Sequence, residues 1–296
     1  MNRCIIRRAE PSDFAQIYGL WYDMETHDDP NPPRRNGIPS VYQHELETGE
    51  MYVAETHAEV VGFAAFIRRG PISYVSELFV RRDQQSSGLG RVLLSYVMPK
   101  DAYICCTLSS RDPRALALYI RAGMRPLWQN YLLIGKSSEV RQSPSKDVET
   151  KEQHDLDSEL VRWDAKTSGR SRLIDHKYWL GKTQAVPLWF RRKGRRIGYG
   201  YVQTRNNDFV YNPEAVNIGP VGALTRRDAL LCVLEAVRWA KPHSSLLRIG
   251  VPSVHPSLPV LLGYGFRITY VETFMSTSEA MFANMQCYVP SDSTLF

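Results

Sequence analysis

The chain repeats itself, and this duplication restricts the folds available to it more than any other feature of its sequence. The segment Val61-Gly62-Phe63 resembles Ile197-Gly198-Tyr199, and Ala122-Gly123-Met124-Arg125 resembles Tyr264-Gly265-Phe266-Arg267. The two pairs of segments are displaced by 136 and 142 residues in a chain of 296. A repeat of this length indicates two diverged copies of one domain, with small insertions between them.

The first copy alternates strand and helix patterns. Strands are predicted at residues 3–8, 51–55, 60–68, 72–80, 102–108 and 125–135, and helices at 14–24, 41–50, 88–98 and 113–122. Pro113 lies in the first turn of the last helix and Gly123 just beyond its end, which are the positions these residues favour. The order of elements predicts a mixed α/β domain.

A polar segment separates the two copies. Residues 136–157 are rich in Ser, Lys, Glu, Gln and Asp and nearly lack apolar side chains, so an exposed linker is predicted. Beyond it we predict helices at 160–180 and 226–240 and strands at 185–191, 196–204, 215–218 and 246–251. The predicted domains are residues 1–137 and 157–296, joined by a linker of residues 138–156.

Composition argues against several classes of protein. The hydrophobic fraction of 43% suits a globular core in each half, and no apolar run is long enough to span a bilayer. No apolar secretion segment follows Met1, so a cytoplasmic protein without a membrane partner is expected. The five cysteines form no CxxC pair, and Cys105 and Cys106 lie in an apolar run, where burial is predicted. The net charge of +6 favours an anionic ligand without identifying it.

Two polar clusters have simpler interpretations than metal or nucleic-acid binding. His27, Asp28 and Asp29 lack a second histidine at helical spacing, so a polar loop explains them and no metal is expected. The basic run at residues 191–196 could contact nucleic acid, but Gly194 lies between two strand patterns and no aromatic platform accompanies it. We predict a solvated hairpin tip there and no nucleic-acid partner.

A loop of small residues, Gln85–Gly90, leads from the strand at 72–80 into the helix at 88–98. Such a loop exposes free N–H groups beside the positive end of the helix dipole, which is a geometry that binds pyrophosphate. A dinucleotide-binding fingerprint would require a third glycine where Leu93 stands. The loop alone leaves two interpretations open, a phosphate site and a helix start without function.

With its surroundings, the loop resembles the signature of the GNAT superfamily of acyl-CoA N-acyltransferases. The family pattern Gln/Arg-x-x-Gly-x-Gly/Ala after a strand ending in Val is matched by Val80, Gln85, Gly88 and Gly90. The later family element, a helix running into Tyr and then Gly-Phe, is matched by Asp112–Tyr119 and Gly123-Met124, and the opening Ile6–Ala9 with Asp13 is also typical. The resemblance covers roughly the first 135 residues. Ser86, Asp112 and Met124 depart from the usual Gly, Asn and Phe.

The resemblance implies a fold, an activity and a binding site. The fold would be two tandem GNAT-like domains, each with a central, mostly antiparallel sheet flanked by helices. The activity would be transfer of an acetyl group from acetyl-CoA to a primary amine of a small molecule or peptide by direct attack. The alternative is a sensor or regulatory protein that binds acyl-CoA without turnover, and a homodimer is possible in either case. The residues implied to bind the acyl donor are Leu78, Phe79, Val80, Gln85, Ser86, Ser87, Gly88, Leu89, Gly90, Arg91 and Asp112.

Two side chains are candidates for proton transfer at that site. An attacking amine with a pKa near ~10 must lose a proton, and the departing thiolate, near ~8.5, must gain one. Tyr119 is the candidate acid, and Glu77, on the strand beside Leu78–Val80, is the candidate base. The alternative for Tyr119 is core packing, and for Glu77 it is a solvated or salt-bridged position.

The second copy lacks the phosphate loop. At the matching place it reads Asn217–Leu224, and Pro220 removes one amide donor. It resembles the C-terminal GNAT-like domain of some bacterial tandem acetyltransferases through Gly219-Pro220, Ala229 and Gly263–Phe266. We predict that it is noncatalytic and either helps to close the acceptor pocket or serves a purely structural purpose. Trp21, Tyr22 and Tyr42 are left with two interpretations, lining the acceptor site and packing the core.

Overall fold

The computed structural model describes residues 4–35, 37–98, 104–141, 147–204 and 211–296. Its helices are α1 (Phe14–Thr26), α2 (Ser40–Thr48), α3 (Leu89–Val97), α4 (Pro113–Arg121), α5 (Ser158–Ser168), α6 (Leu173–Gly181), α7 (Arg226–Ala240) and α8 (Ser257–Gly263). Its strands are β1 (Ile5–Arg8), β2 (Gly49–Thr56), β3 (Glu59–Arg69), β4 (Ile72–Val80), β5 (Ile104–Ser109), β6 (Arg125–Lys136), β7 (Val148–Glu152), β8 (Val186–Arg192), β9 (Arg195–Gln203), β10 (Val216–Ala223), β11 (Leu246–Pro252), β12 (Arg267–Ser276) and β13 (Tyr288–Val289). The predicted mixed α/β class is confirmed.

The described strands form one continuous sheet rather than two. The strand order is β1-β2-β3-β4-β5-β12-β6-β11-β10-β9-β8-β7, with β13 paired to β10. The pairs β4–β5 and β10–β11 are parallel, and the other pairs are antiparallel. Most strand pairs are therefore antiparallel, as expected, but the sheets of the two halves are joined into one.

The merger is an exchange of strands between the halves. Strand β12, from the second half, lies between β5 and β6 of the first, with Thr273 opposite both Ser109 and Gln129. Strand β6 in turn pairs with β11 of the second half from Asn130, opposite Pro252, to Lys136, opposite Leu246. Because each half contributes a strand to the other, the backbone hydrogen bonds cross the predicted domain boundary.

Helices cover both faces of the first half of the sheet. On one face, α1 and α2 pack Phe14, Ile17 and Tyr42 against β2 and β3, in what we call the α1/α2 cluster. On the other face, α3 and α4 pack side chains that include Leu93, Leu94 and Tyr119, in what we call the α3/α4 cluster. Two further clusters fill the second half and the junction between the halves.

The structure corrects three sequence predictions. The helix predicted at 160–180 is two helices, because the chain turns at Gly169, whose φ of 68° suits glycine. The predicted linker is not uniformly irregular, since β7 lies within it and pairs with β8; residues 142–146 of it lie outside the described residues. The strand predicted at 215–218 continues as β10 to Ala223.

Two other predictions are confirmed. The basic run is a hairpin tip, because β8 and β9 are joined through Lys193 and Gly194, both with positive φ. Cys105 and Cys106 are buried in the first half.

Two predicted strands, 3–8 and 102–108, begin outside the described residues, at Arg3 and at residues 102–103. In the part of the chain that is described, no helix has the length and apolar character needed to cross a membrane.

Candidate active site

Strand β4 leaves one edge free as it approaches α3. Its parallel ladder with β5 joins Ile72–Tyr74 to Ile104–Cys106 and goes no further, although β4 continues to Val80. On its other edge β4 stays paired with β3, so that Val80 lies opposite Gly62. At the start of the gap, the Thr107 hydroxyl donates to the main-chain oxygen of Val75 at 2.8 Å. The divergence of β4 and β5 leaves a gap in the sheet, which we call the slot, where no strand of the described structure pairs with this edge of β4.

A bulge in β4 decides which side of the slot each side chain faces. The register against β3 shifts between the pairs Ala65–Glu77 and Phe66–Val75, so that Ser76 is the extra residue. Val75 and Leu78 therefore both pack with the α3/α4 cluster, whereas Phe79 packs with the α1/α2 cluster. Because alternate residues of a strand share a face, Glu77 points to the α1/α2 side with Phe79.

The predicted phosphate loop has a specific backbone conformation. Ser86 and Gly88 have φ values of 62° and 92°, and the first α-helical hydrogen bond of the following turn runs from Val92 N to Gly88 O at 3.1 Å. The amides of Leu89, Gly90 and Arg91 precede that bond and so lie in the first turn, where no helix carbonyl is available to them. Ser86 and Ser87 are exposed. The residues fit a pyrophosphate, and binding itself remains a prediction.

Gln85 and Asp112, both implied to contact the acyl donor, are joined by Arg114. The Gln85 side chain donates from Nε2 to Val80 O at 3.0 Å and accepts from Arg114 Nη1 at 2.5 Å. Asp112 caps α4 by accepting from Arg114 N at 2.8 Å, and it also accepts from Arg114 Nη2 at 2.7 Å. Sequence reasoning missed Arg114, because only the fold brings the start of α4 beside the loop.

Tyr119 is enclosed in the α3/α4 cluster and is 6% exposed. Burial raises the pKa of its phenol well above the usual value; the Thr107 hydroxyl opposes this shift and the nearby Glu77 charge adds to it. The phenol therefore stays protonated across the physiological range and can donate a hydrogen bond. Tyr119 also packs the core, so the two interpretations of this residue are compatible.

Glu77 is 8% exposed, so the solvated alternative for this residue is wrong. Burial raises its pKa well above the ordinary range, and Glu45, Glu25 and Asp292 raise it further because they are like charges. Its charge also raises the pKa of Tyr119, which lies in the α3/α4 cluster on the other face of the sheet. Their catalytic roles remain predictions.

Glu45 is a residue at this site that sequence reasoning missed. It belongs to α2, is 0% exposed, and both of its carboxylate oxygens lack a hydrogen-bond partner among the described residues. The Ser76 hydroxyl and the Arg69 charge lower its pKa, although Ser76 makes no hydrogen bond of ordinary geometry to it. Burial dominates and raises the pKa of Glu45 to about 8. No motif in the sequence indicated Glu45, because a glutamate at this place is typical of any solvent-facing helix.

The second half reaches this site through its segment Ser291–Phe296. The Tyr74 hydroxyl donates to Ser293 O, and the Phe296 ring stacks on Tyr74 with centroids 5.4 Å apart. Arg172 Nη1 donates to Phe296 O at 2.9 Å, and Asp164 holds Arg172 through two hydrogen bonds of 2.8 and 2.7 Å. This network fixes the segment that carries the half-buried Asp292, whose Oδ1 accepts from Thr294 N at 2.8 Å and Leu295 N at 2.7 Å. Its charge raises the pKa of Glu77 and of Glu45.

The remaining candidates divide between core and surface. Tyr42 is 2% exposed and meets Phe63 edge-on, so it packs the core. Trp21 and Tyr22 are partly exposed, and the Tyr22 hydroxyl donates to Pro33 O at 2.8 Å. Among the described residues, no group of three or more His, Cys, Asp or Glu side chains has the arrangement of a metal site.

One family model matches part of this sequence, and solved structures share its fold. The family model of the acetyltransferase (GNAT) domain matches residues 47–125. No curated protein matches the chain.

Solved structures match nearly the whole chain. A putative acetyltransferase from Pyrococcus horikoshii superposes with a TM-score of 0.76 at 18% identity, covering 99% of this chain and 96% of its own. A tandem GNAT protein from the clavulanic acid biosynthesis pathway gives a TM-score of 0.61 at 16% identity, covering 94% and 100%. A GCN5-related glucosamine N-acetyltransferase region of a fungal multi-domain GH3 β-N-acetylglucosaminidase gives 0.71 at 14% identity, covering 93% of this chain and 38% of its own.

Proposed function

We propose that this chain, a GNAT-superfamily protein of the tandem type with its acetyltransferase (GNAT) domain in the first half, transfers an acetyl group from acetyl-CoA to a primary amine of a small molecule or peptide. One observation supports this most directly. The free edge of β4, which carries Glu77, runs from the phosphate loop to the slot beside β5, and Tyr119 packs in the same cluster as Val75 and Leu78 of that strand. An extended thioester-bearing arm fits such an edge through main-chain hydrogen bonds.

The chain would hold the donor at two places. The first-turn amides after Gly88 would bind the pyrophosphate, with Gln85 and Arg114 fixing the loop against Val80 and α4. The main chain of Leu78–Val80 would pair with the arm. Asp112 would act mainly by capping α4, which positions Tyr119 one helix length away.

The chemistry needs little from the protein beyond positioning and proton transfer. Bound acetyl-CoA supplies a thioester carbon that the amine attacks while the carbon–sulfur bond breaks. Glu77, directly or through water, would take the proton that the amine loses. Because the pKa of Tyr119 is raised, its phenol would stabilise the departing sulfur mainly as a hydrogen-bond donor.

The second half would complete the acceptor pocket without a donor site of its own. In place of the phosphate loop, β10 continues through Gly219 and Pro220 to Ala223 and is buried throughout. The segment Ser291–Thr294 of the second half instead lies against Tyr74 and Glu77 of the first half. One acetyl-transfer site per chain is therefore proposed.

The substitution Tyr119→Phe tests the proposal. We expect kcat to fall by about 10²-fold or more, the usual contribution of a positioned proton donor, with the Kd for acetyl-CoA changed by only a few-fold. Tyr96→Phe is the matched control, because Tyr96 lies on the outer face of α3 and is 47% exposed. Steady-state kinetics across amine classes and calorimetric titration of acetyl-CoA give the two quantities.

The outcomes separate enzyme from sensor. An unchanged kcat in Tyr119→Phe would remove Tyr119 from the mechanism. Tight acetyl-CoA binding with no acetylation of any amine class would favour the alternative, an acyl-CoA sensor without turnover.

A further inference from the structure

The sheet divides in the same way in both halves. In the first half, the parallel pairing of β4 with β5 ends at Tyr74, and the slot opens beyond it. In the second half, the parallel pairing of β10 with β11 ends at Ile218. On its other edge β10 stays paired with β9 as far as Ala223, just as β4 stays paired with β3 as far as Val80. Strands β10 and β11 therefore part at a place that corresponds to the slot, and we call it the second gap.

The second gap is filled by the chain itself. Strand β13 lies antiparallel to β10, with Val289 opposite Val221, and it also contacts β11. Gly219 permits the close approach of the chain that follows β13, because a Cβ atom there would collide with Pro290 O. The edge of β10 that corresponds to the free edge of β4 is therefore already paired.

Strand β13 continues into a segment that crosses to the first half, and we call residues 287–296 the strap. Asn217 Nδ2, on β10, donates to Ser291 O at 3.0 Å. The Tyr74 hydroxyl, on β4, donates to Ser293 O. Because Tyr74 is the last residue of β4 that pairs with β5, Ser293 lies where the slot begins. The strap thus joins the filled gap of the second half to the slot of the first.

The far end of the strap is buried, whereas its middle reaches the surface. Phe296 is fully buried, its ring stacks on Tyr74 with centroids 5.4 Å apart, and its main-chain oxygen accepts from Arg172 Nη1 at 2.9 Å. The middle residues Asp292–Thr294, which we call the tip, are partly exposed. The Asp292 carboxylate folds the tip into a turn by accepting from the amides of Thr294 and Leu295. The accessible part of the strap therefore lies at the start of the slot.

The tip and the phosphate loop lie at opposite ends of the slot. The loop follows Val80, and the tip contacts Tyr74 on the same strand, roughly 20 Å away at about 3.3 Å per residue. A donor arm that runs along β4 from the loop would therefore direct its thioester towards the tip. An acceptor that meets the thioester there would lie against the tip.

We propose that the strap is the resident ligand of the second gap, and that this pairing holds the tip in place as a wall of the acceptor site in the first half. The main chain of β13 pairs with β10 where a donor arm would pair with β4 in the first half. A donor arm could enter between β10 and β11 only by displacing β13. The role of the tip rests on the proposed function, whereas the pairing in the second gap does not.

Hydrogen exchange with and without saturating acetyl-CoA tests the pairing in the second gap. We expect the amides of residues 287–291 to keep their exchange rates within about twofold, because the donor leaves β13 in place. Residues 76–80 should exchange more slowly with the donor bound, and calorimetric titration should give one molecule of acetyl-CoA per chain. Faster exchange at 287–291, or two molecules per chain, would overturn the pairing. An unchanged rate at 76–80 would count against the proposed donor site instead.

The substitution Asn217→Ala tests whether the strap holds the tip. With one hydrogen bond lost, we expect exchange of residues 292–296 to become about fivefold faster and kcat/KM to fall about fivefold across a panel of amines that includes butylamine and diglycine. The Kd for acetyl-CoA should stay within about twofold. Tyr74→Phe, which removes the hydroxyl that donates to the tip, should act in the same way. Asn284→Ala is the matched control, because Asn284 belongs to the second half but is exposed, and thermal unfolding establishes that each variant is folded.

The outcomes separate the two parts of the inference from the proposed function. An unchanged exchange rate of the tip in both variants, or an unchanged kcat/KM despite faster exchange, would remove the tip from the acceptor site. An equal loss of acetyl-CoA affinity would show a general structural effect and would also overturn that role. If acetyl-CoA binds at one site and no amine is acetylated, the proposed transfer and the role of the tip fail together, and the pairing of the strap in the second gap stands.

Discussion

The side-chain amide of Gln85 donates to the main-chain oxygen of Val80 at 3.0 Å, which ties the phosphate loop to the end of the strand that borders the slot. The same side chain accepts from Arg114 at 2.5 Å, and Arg114 contacts the cap of α4. One glutamine thus links the loop, β4 and the helix that carries Tyr119. Its place in the sequence motif has a structural reason in addition to any contact with a ligand.

Gln85→Ala should therefore weaken donor binding more than it slows catalysis. Each lost hydrogen bond contributes about 1 kcal/mol, so we expect KM for acetyl-CoA to rise by roughly 5- to 30-fold with kcat changed much less. Gln84→Ala is the control, since the Gln84 amide contacts only the exposed Asp83 among the described side chains. Equal effects of both substitutions on KM would contradict this assignment.

The pH dependence of activity should respond to Glu45. Glu77 must be ionised to act as a base, and its raised pKa places the rise of kcat/KM with pH above the ordinary range of a carboxyl group. The groups that face Glu77 and interact with it are Glu45, Glu25 and Asp292. Removing the Glu45 charge favours ionisation of Glu77, so Glu45→Gln should shift the rise to lower pH.

Profiles of kcat/KM between about pH 6 and 9 for a monoamine acceptor would measure this shift. Glu47→Gln should leave the profile in place. A shift to higher pH in Glu45→Gln would show that Glu45 does not repel the charge on Glu77.

Stability should fall as pH rises, because Glu45 is buried without a partner. Its folded-state pKa is about 8, above the value near 4.5 for an unfolded chain, so the folded state binds the extra proton. The stabilisation from this group is fully present below the pKa of Glu45 in the unfolded chain. It is lost as the pH rises through the pKa of Glu45 in the folded state. Over that interval we expect a loss of up to about 1.4 kcal/mol per pH unit from this group.

Chemical denaturation at pH values between about 5 and 9 would measure this loss, and Glu45→Gln should flatten the curve. A wild-type stability that rises over the same range, with no difference in the variant, would be inconsistent with a buried, protonated Glu45.

The strand exchange predicts that a residue of β12 stabilises both halves at once. Phe274 is fully buried and stacks on Trp128 of β6 at 4.6 Å and on Phe296 at 5.1 Å. Phe274→Ala should cost about 3–5 kcal/mol and lower the midpoint of unfolding of the whole chain. Ile268→Ala, on the same strand but 45% exposed, should change stability by less than about 1 kcal/mol.

Unfolding followed by circular dichroism, with acetyl-CoA binding as a probe of the first half, would test this. Loss of the second half alone, with donor binding retained in Phe274→Ala, would contradict the view that β12 supports the site.

Local chemistry explains why the sequence predicted the loop, the elements beside it and Tyr119. A strand, a small-residue loop and a helix start are adjacent in the chain, and glycine and proline mark their limits. Helix α4 is similarly bounded by Pro113 and Gly123. These features depend on neighbours within a few residues, so the sequence carries them directly.

The helix predicted at 160–180 shows where local patterns fail. Apolar residues on both sides of Gly169 suggested one helix, but α5 ends there with a left-handed glycine, which packs against Phe282, a residue distant in sequence. Burial of Glu45 was equally invisible, because it depends on α2 packing over β2 and β3, which follow it in the chain.

By itself, the sequence determined the duplication, the mixed α/β class, the phosphate-type loop and the nearness of that loop to Tyr119 along the chain. Only the tertiary structure decided that the two halves exchange strands, that β4 and β5 diverge into a slot, and that Glu45 and Glu77 are buried. The physical reason is the distance along the chain over which each interaction acts. Turn and helix signals act between neighbouring residues, whereas strand order and the pairing of buried charges depend on which distant segments share a sheet.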